Sequence, residues 1–216
     1  MIHAENILIC IMFPMAVAMF FVRGNARRFT FAMVSGMLVC LVSAYLSGYM
    51  NYLGATDTEE TAIFISPIIE EIMKFVPLIF YMLLFEPADD QLYVFATGIG
   101  AGFATFENCC YILTNGAESL PFVMVRGMAV GVMHIVSMIA VATGLVLIRR
   151  FKALSVAGIV GALSMSVMFH ALYNLLVSKP GASSLIGYCL PTAVAASILI
   201  IRNLLRRETL QTNAEN

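Results

Sequence analysis

The feature that most constrains this chain is a Glu70-Glu71-x-x-Lys74 cluster set inside Ile63–Phe85, a segment otherwise almost wholly apolar. A helix rising about 1.5 Å per residue crosses roughly 30 Å of hydrocarbon in about 20 residues, so the segment is long enough to span a bilayer. Each ionised side chain in such a span costs roughly 2.5–3.5 kcal/mol on insertion scales. A purely structural span would use Leu. Charges kept at that depth therefore mark a functional site and direct the search to their partners on other segments.

The composition agrees with a membrane setting. The chain has 216 residues, 61% hydrophobic and 12% charged, against about 25% charged in soluble domains. A net charge of −1 gives no electrostatic basis for binding nucleic acid. Cys10, Cys40, Cys109, Cys110 and Cys189 lie in apolar segments with no metal-ligand or disulfide spacing, and read as small buried hydrophobes. The expected organisation is a single transmembrane domain over 1–216 with its catalytic core over 62–177.

Seven apolar segments are predicted, at 6–22, 30–53, 62–85, 91–113, 122–148, 154–177 and 184–204. The fold class is all-α, a polytopic membrane protein of about seven transmembrane helices. The first segment is read as an uncleaved helix, because Arg23, Arg27 and Arg28 follow it and no basic residue precedes it, the reverse of a secretory signal. With the N-terminus outside and the C-terminus cytoplasmic, inner stretches hold Arg23, Arg27, Arg28, Arg149, Arg150, Lys152, Arg202, Arg206 and Arg207, nine of the twelve basic residues. Outer loops hold Lys179 together with Asp57, Glu59, Glu60 and Glu118. Cytoplasmic loops collect Lys and Arg, which supports this orientation.

That topology brings the unusual residues to similar depth. Glu70 and Glu71 fall about 12–14 Å below the outer surface, Glu107 and Asn108 about 8–9 Å, His134 about 18 Å and His170 about 10 Å. Four segments thus converge on the outer half of the bilayer. Both glutamates are within helical reach of Lys74, and they stand about 100° apart around the axis. His170 and Asn174 share a helix face at i, i+4, where the histidine can hold a water with a glutamate and the amide can steady an oxyanion. Arg126 is placed to neutralise one of the acids. Gly98, Gly100 and Gly102 read as sites of close helix approach. Tyr111 and Tyr173 read as interface or core aromatics, and His3 as an exposed terminal residue.

These motifs resemble the PrsW family of intramembrane proteases, within the larger group that includes the CAAX-processing (Abi) endopeptidases. The resemblance rests on Glu70-Glu71-x-x-Lys74, Gly102-Phe103-x-x-Phe106-Glu107-Asn108 with Tyr111, Arg126 with His134, and His170-x-x-Tyr173-Asn174. It implies cleavage of a single-pass membrane protein, such as an anti-sigma factor, near the outer leaflet of a bacterial plasma membrane. Glu70 and Glu71 would hold the paired-acid position, Glu107 the second acid, His170 the essential histidine and Asn174 the oxyanion support. The chain departs from the CAAX branch at Glu107, where that branch has a histidine, and at Lys74, where it has an arginine one position later. The expected catalytic set is Glu70, Glu71, Glu107, His134, His170 and Asn174, supported by Lys74, Asn108 and Arg126. No cofactor is expected in the main reading; in the alternative, Glu107, His134 and His170 bind zinc with Glu70 or Glu71 as base. A proton- or cation-coupled transporter and a non-catalytic scaffold are the rivals from other classes.

Overall fold

In the computed structural model, residues 3–54, 57–116, 119–151 and 155–215 are described. Glu118 and Lys152, and the side chains of Arg206 and Arg207, all counted in the loop-charge asymmetry, lie outside that description. The described residues are helical throughout, with no strand: α1 (Ala4–Ala18), α2 (Gly24–Tyr52), α3 (Thr58–Glu60), α4 (Ser66–Phe85), α5 (Asp89–Asn115), α6 (Leu120–Arg150), α7 (Ser155–Ser178) and α8 (Ala182–Glu215). By length and composition, four of these helices suit a membrane crossing: α2, α6, α7 over Val156–Ser178, and α8 over Ala182–Leu204. α4 carries three charged residues, Glu70, Glu71 and Lys74, and α5 is rich in glycine; neither is in that set.

Three boundaries differ from expectation, the first being the start of α2 at Gly24 rather than near residue 30. The first segment ends its helix at Ala18 rather than near residue 22, giving 15 residues or about 22 Å, shorter than the hydrocarbon layer. The last helix runs to Glu215 rather than stopping near residue 204. Elsewhere the local chemistry accounts for the ends. Asp57 caps α3 by accepting from the Glu60 amide at 2.8 Å, a typical N-cap bond. α4 closes on Glu86, held left-handed at φ 42°, and Pro87 prevents continuation. Between α3 and α4 the chain passes through one π-helical stretch, Thr61–Ile65, directly upstream of the two glutamates. Wide turns of this kind recur at functional sites.

The glycines of α5 do what their spacing promised. A Cβ on Gly98 would meet the Ala32 side chain, and one on Gly102 would run into the Met33 backbone, so α2 and α5 touch backbone to backbone. On the other flank a Cβ on Gly100 would stand 2.7 Å from the His134 carbonyl. α5 is thus clamped between α2 and α6, and the second clamp sits at a site histidine. Below this level Leu78, Tyr81, Leu92, Phe95, Ile99, Met138 and Leu145 form a buried hydrophobic core, with the Tyr81 and Phe95 rings stacked at 3.9 Å.

Candidate active site

The site is built outward from Glu71. Its side chain is fully buried and its oxygens are taken: Oε1 accepts from Lys74 Nζ at 2.6 Å and His170 Nδ1 at 2.8 Å, and Oε2 accepts from Ser166 Oγ at 2.7 Å. Removing a carboxylate from water is tolerable only when its lone pairs are satisfied in this way. One acid therefore ties α4 to α7 through two side chains one turn apart, Ser166 and His170.

Lys74 is also fully buried. It bridges Glu71 to His134 Nδ1, 2.8 Å away on α6, and sits 4.9 Å from the centre of the Phe103 ring. An ammonium only donates, so His134 Nδ1 accepts and Nε2 carries the ring proton. That proton is donated to Glu107 Oε2 at 2.6 Å. Glu107 in turn meets Arg126 at 3.4 Å. Arg126 also bonds Asn108, and its guanidinium lies 3.6 Å over the Tyr111 ring. The network thus runs from Ser166 on α7 through α4 and α6 to Arg126, on the turn of α6 that faces Asn108 of α5.

Glu70 differs from its neighbour. It retains 17% side-chain exposure, and its Oε2 is buried without a hydrogen-bond partner. The nearest cationic or donor group to that oxygen among the ion pairs described is His170 Nε2, 3.7 Å away. In the neutral tautomer that donates from Nδ1 to Glu71, His170 Nε2 is left as an acceptor on the side of Glu70. A carboxylate oxygen and an imidazole lone pair facing each other across 3.7 Å leave a place where a third group can bridge them.

A cavity of about 360 Å³ reaches Glu107 and Arg126, walled by Ala62, Tyr173, Asn174 and Tyr188. Glu107 keeps 30% side-chain exposure toward it. Tyr111 and Tyr173, set aside on sequence grounds, both line this cavity. Asn174 also lines it, but one amide hydrogen is engaged by the Ala62 carbonyl of the π-helical stretch at 3.0 Å. It therefore braces the start of α4 and stands apart from the Glu71–His134 network. Among the described residues Lys74 forms an ion pair with Glu71 and none with Glu70. Ser166 was missed: a serine on an apolar helix is unremarkable, and only its position one turn before His170 hinted at the shared face. Ser137, one turn from His134, donates to the Met133 sulfur at 3.9 Å.

The metal donors also differ from the expected trio. The ligand atoms that converge, all within 4.8 Å of one another, belong to Glu70, His134 and His170; Glu107 is instead the hydrogen-bond partner of His134. The unpartnered Glu70 Oε2 and the bare His170 Nε2 fit a divalent cation as they stand. Glu71 behind His170 supplies the carboxylate–histidine backing usual at such ligands. His134 would complete the set in the tautomer that leaves its binding nitrogen unprotonated and keeps the ring proton on the other nitrogen.

No curated protein and no solved structure matches the chain. One family description does: "PrsW family intramembrane metalloprotease", over residues 24–201, which takes in every residue of the network and leaves only α1 and the two ends outside. With apolar helices suited to a membrane and a buried acid–histidine network, that match identifies an intramembrane peptide hydrolase: the chain belongs to the PrsW family.

Proposed function

We propose that the protein cleaves a single-pass membrane protein near the outer leaflet of the cell membrane, with water as nucleophile and Glu70 as its base. The observation that carries this reading is the contrast between neighbours: Glu71 has its oxygens occupied, whereas Glu70 offers an unpartnered oxygen facing His170 Nε2. A base must be free to take a proton. A water held between Glu70 and His170 would give its proton to the Glu70 carboxylate as its oxygen bonds to the substrate carbonyl carbon. The second amide hydrogen of Asn174 remains for the developing oxyanion. Collapse then breaks the C–N bond as the proton passes to the leaving nitrogen, with no acyl-enzyme. Glu71, Lys74 and Ser166 hold His170 and His134 in place, and the Glu107–Arg126 pair borders the cavity that receives the chain.

The proposed topology has seven crossings, N-terminus outside and C-terminus cytoplasmic, with α1 inserted as a short helix against α2. The basic residues of the loops support it, and it opens the cavity toward the outer side. By resemblance, an anti-sigma-factor-like protein is the expected substrate.

A second reading keeps the same residues and adds a divalent cation held by Glu70, His134 and His170, favoured by the convergence of their ligand atoms and by the family description. Such an ion acts as a Lewis acid and lowers the pKa of a bound water to about 7. Glu70, His134 and His170 would hold the ion, and Glu71 would orient His170.

The test is co-expression with tagged single-pass membrane proteins, comparing wild type with Glu70→Gln and His170→Ala by blot and mass spectrometry. A fragment ending near the outer boundary, lost in both variants at equal expression, supports the protease reading. The absence of any Glu70-dependent fragment across the membrane proteome contradicts it. With purified protein, activity surviving exhaustive chelation assigns the water to Glu70 and His170 alone; activity lost to chelation and restored by added zinc assigns the ion.

A further inference from the structure

A second cavity, of about 720 Å³, lies apart from the acid–histidine network, none of whose residues lines it. Its mouth is at Asp90 in the first turn of α5, 17 residues and so about 25 Å along that helix from Glu107. It lies between α2, α5, α6 and α8, walled by Phe29, Tyr93, Ile139, Thr143 and Ile198, and Arg202 of α8 lies one helical turn beyond Ile198. The contents change in order along its length. The mouth carries one carboxylate and one guanidinium. Asp89 next door takes Arg149 and Arg150, and among the described residues no ion pair forms at Asp90 or Arg202. Hydroxyls follow, the Tyr93 phenol and Thr143 Oγ1 at 3.2 Å. Aliphatic walls from α6 and α8 come last. α8 is the least enclosed of the candidate spans, with 11% of its apolar window buried, so this groove is a gap in its packing.

We infer that this groove binds one phospholipid with a zwitterionic, primary-amine headgroup of the phosphatidylethanolamine type. Arg202 takes the phosphate, Asp90 takes the ammonium, the Tyr93–Thr143 pair meets the ester region, and an acyl chain lies along Ile139 and Ile198. Guanidinium suits phosphate through its planar donor set, and Asp90 selects for a headgroup amine over an anionic headgroup lacking one. The volume falls within the usual range for ligand sites, about 300–1,000 Å³. Both charges lie at the end where the loop arginines gather, which is the headgroup level if these helices cross the bilayer as proposed; the inference rests on that membrane reading but not on proteolysis.

Full-length protein, purified in mild detergent and stripped of lipid, is titrated with phosphatidylethanolamine, phosphatidylglycerol and acyl-free glycerophosphoethanolamine. Retained lipid is read by native mass spectrometry. The expected result is retention of phosphatidylethanolamine about fivefold or more above phosphatidylglycerol, the scale of one well-placed ion pair, and no retention of the acyl-free headgroup. Asp90→Asn abolishes the preference, and Arg202→Gln weakens both lipids. Thr143→Val, which keeps the helix and the volume, serves as a third variant if either charge change lowers yield; it is expected to weaken phosphatidylethanolamine alone or both lipids together. Equal retention of the two lipids by wild type, binding of the acyl-free headgroup as tight as the lipid, or phosphatidylethanolamine retention unchanged in every variant obtained would overturn the assignment.

Discussion

The contact between α4 and α7 and the contact between α5 and α6 are both polar, yet they are finished differently. Across α4–α7, Glu71 is sealed and each of its oxygens is claimed by Lys74, His170 or Ser166. Across α5–α6, Glu107 and Arg126 keep partial exposure and face a cavity. A saturated network in low dielectric rigidifies what it joins; a half-open one leaves room for a ligand. The first contact holds His170, Lys74 and Glu107 hold His134 from either side, and the second contact borders the cavity that the proposed function gives to the substrate. Glu70, beside the first contact, keeps an oxygen without a hydrogen-bond partner.

Lys74→Met should break the comparison most severely. It strands Glu71 as an uncompensated buried charge, a loss of about 3–5 kcal/mol, read as a collapse in thermal stability and yield. The double variant Glu71→Gln/Lys74→Met should recover most of that stability without recovering cleavage. A single variant that melts like wild type would show that the sealed contact is not what holds α4. Next in size is Ser166→Ala, which removes a hydrogen bond to a charged group and should lower stability by about 1.5–3 kcal/mol, with a loss of turnover restored by Ser166→Thr. Gly100→Ala tests the clamp beside His134: its Cβ would sit 2.7 Å from a backbone oxygen, so about 1–3 kcal/mol of overpacking strain is expected, along with reduced cleavage. Smallest is Lys179→Ala at the rim, where an exposed pair with Glu59 should contribute about 0–1 kcal/mol, leaving the melting curve nearly unmoved.

Much of this was legible in the sequence because membrane depth makes polarity expensive. Glu70, Glu71, Lys74, Glu107, His134 and His170 stand out against apolar neighbours, and helical rise alone brought them to one level. The glycine ladder of α5 announced close approach, since only a missing Cβ allows it. What failed to show depended on contacts between helices. Glu70 and Glu71 are adjacent and chemically identical, and only Ser166 and His170 arriving from α7 separate the sealed one from the open one. Ser166 itself carries no local signal. The π-helical stretch at Thr61–Ile65 has no compositional mark, yet it decides why Asn174 reaches the Ala62 carbonyl rather than the acid network. The early end of α1 at Ala18 likewise follows from its turn toward α2, not from any loss of hydrophobicity, as Met19, Phe20, Phe21 and Val22 continue the apolar run.

The most direct test of the difference between neighbouring acids is to measure cleavage and thermal stability together for Glu70→Gln and Glu71→Gln. Glu70→Gln should melt within about 0.5 kcal/mol of wild type and lose roughly 10²–10⁴-fold in turnover. Glu71→Gln should lose stability as well as turnover. The reverse pattern, with Glu71→Gln stable but inactive and Glu70→Gln still cleaving, would contradict the assignment of Glu70 as the base.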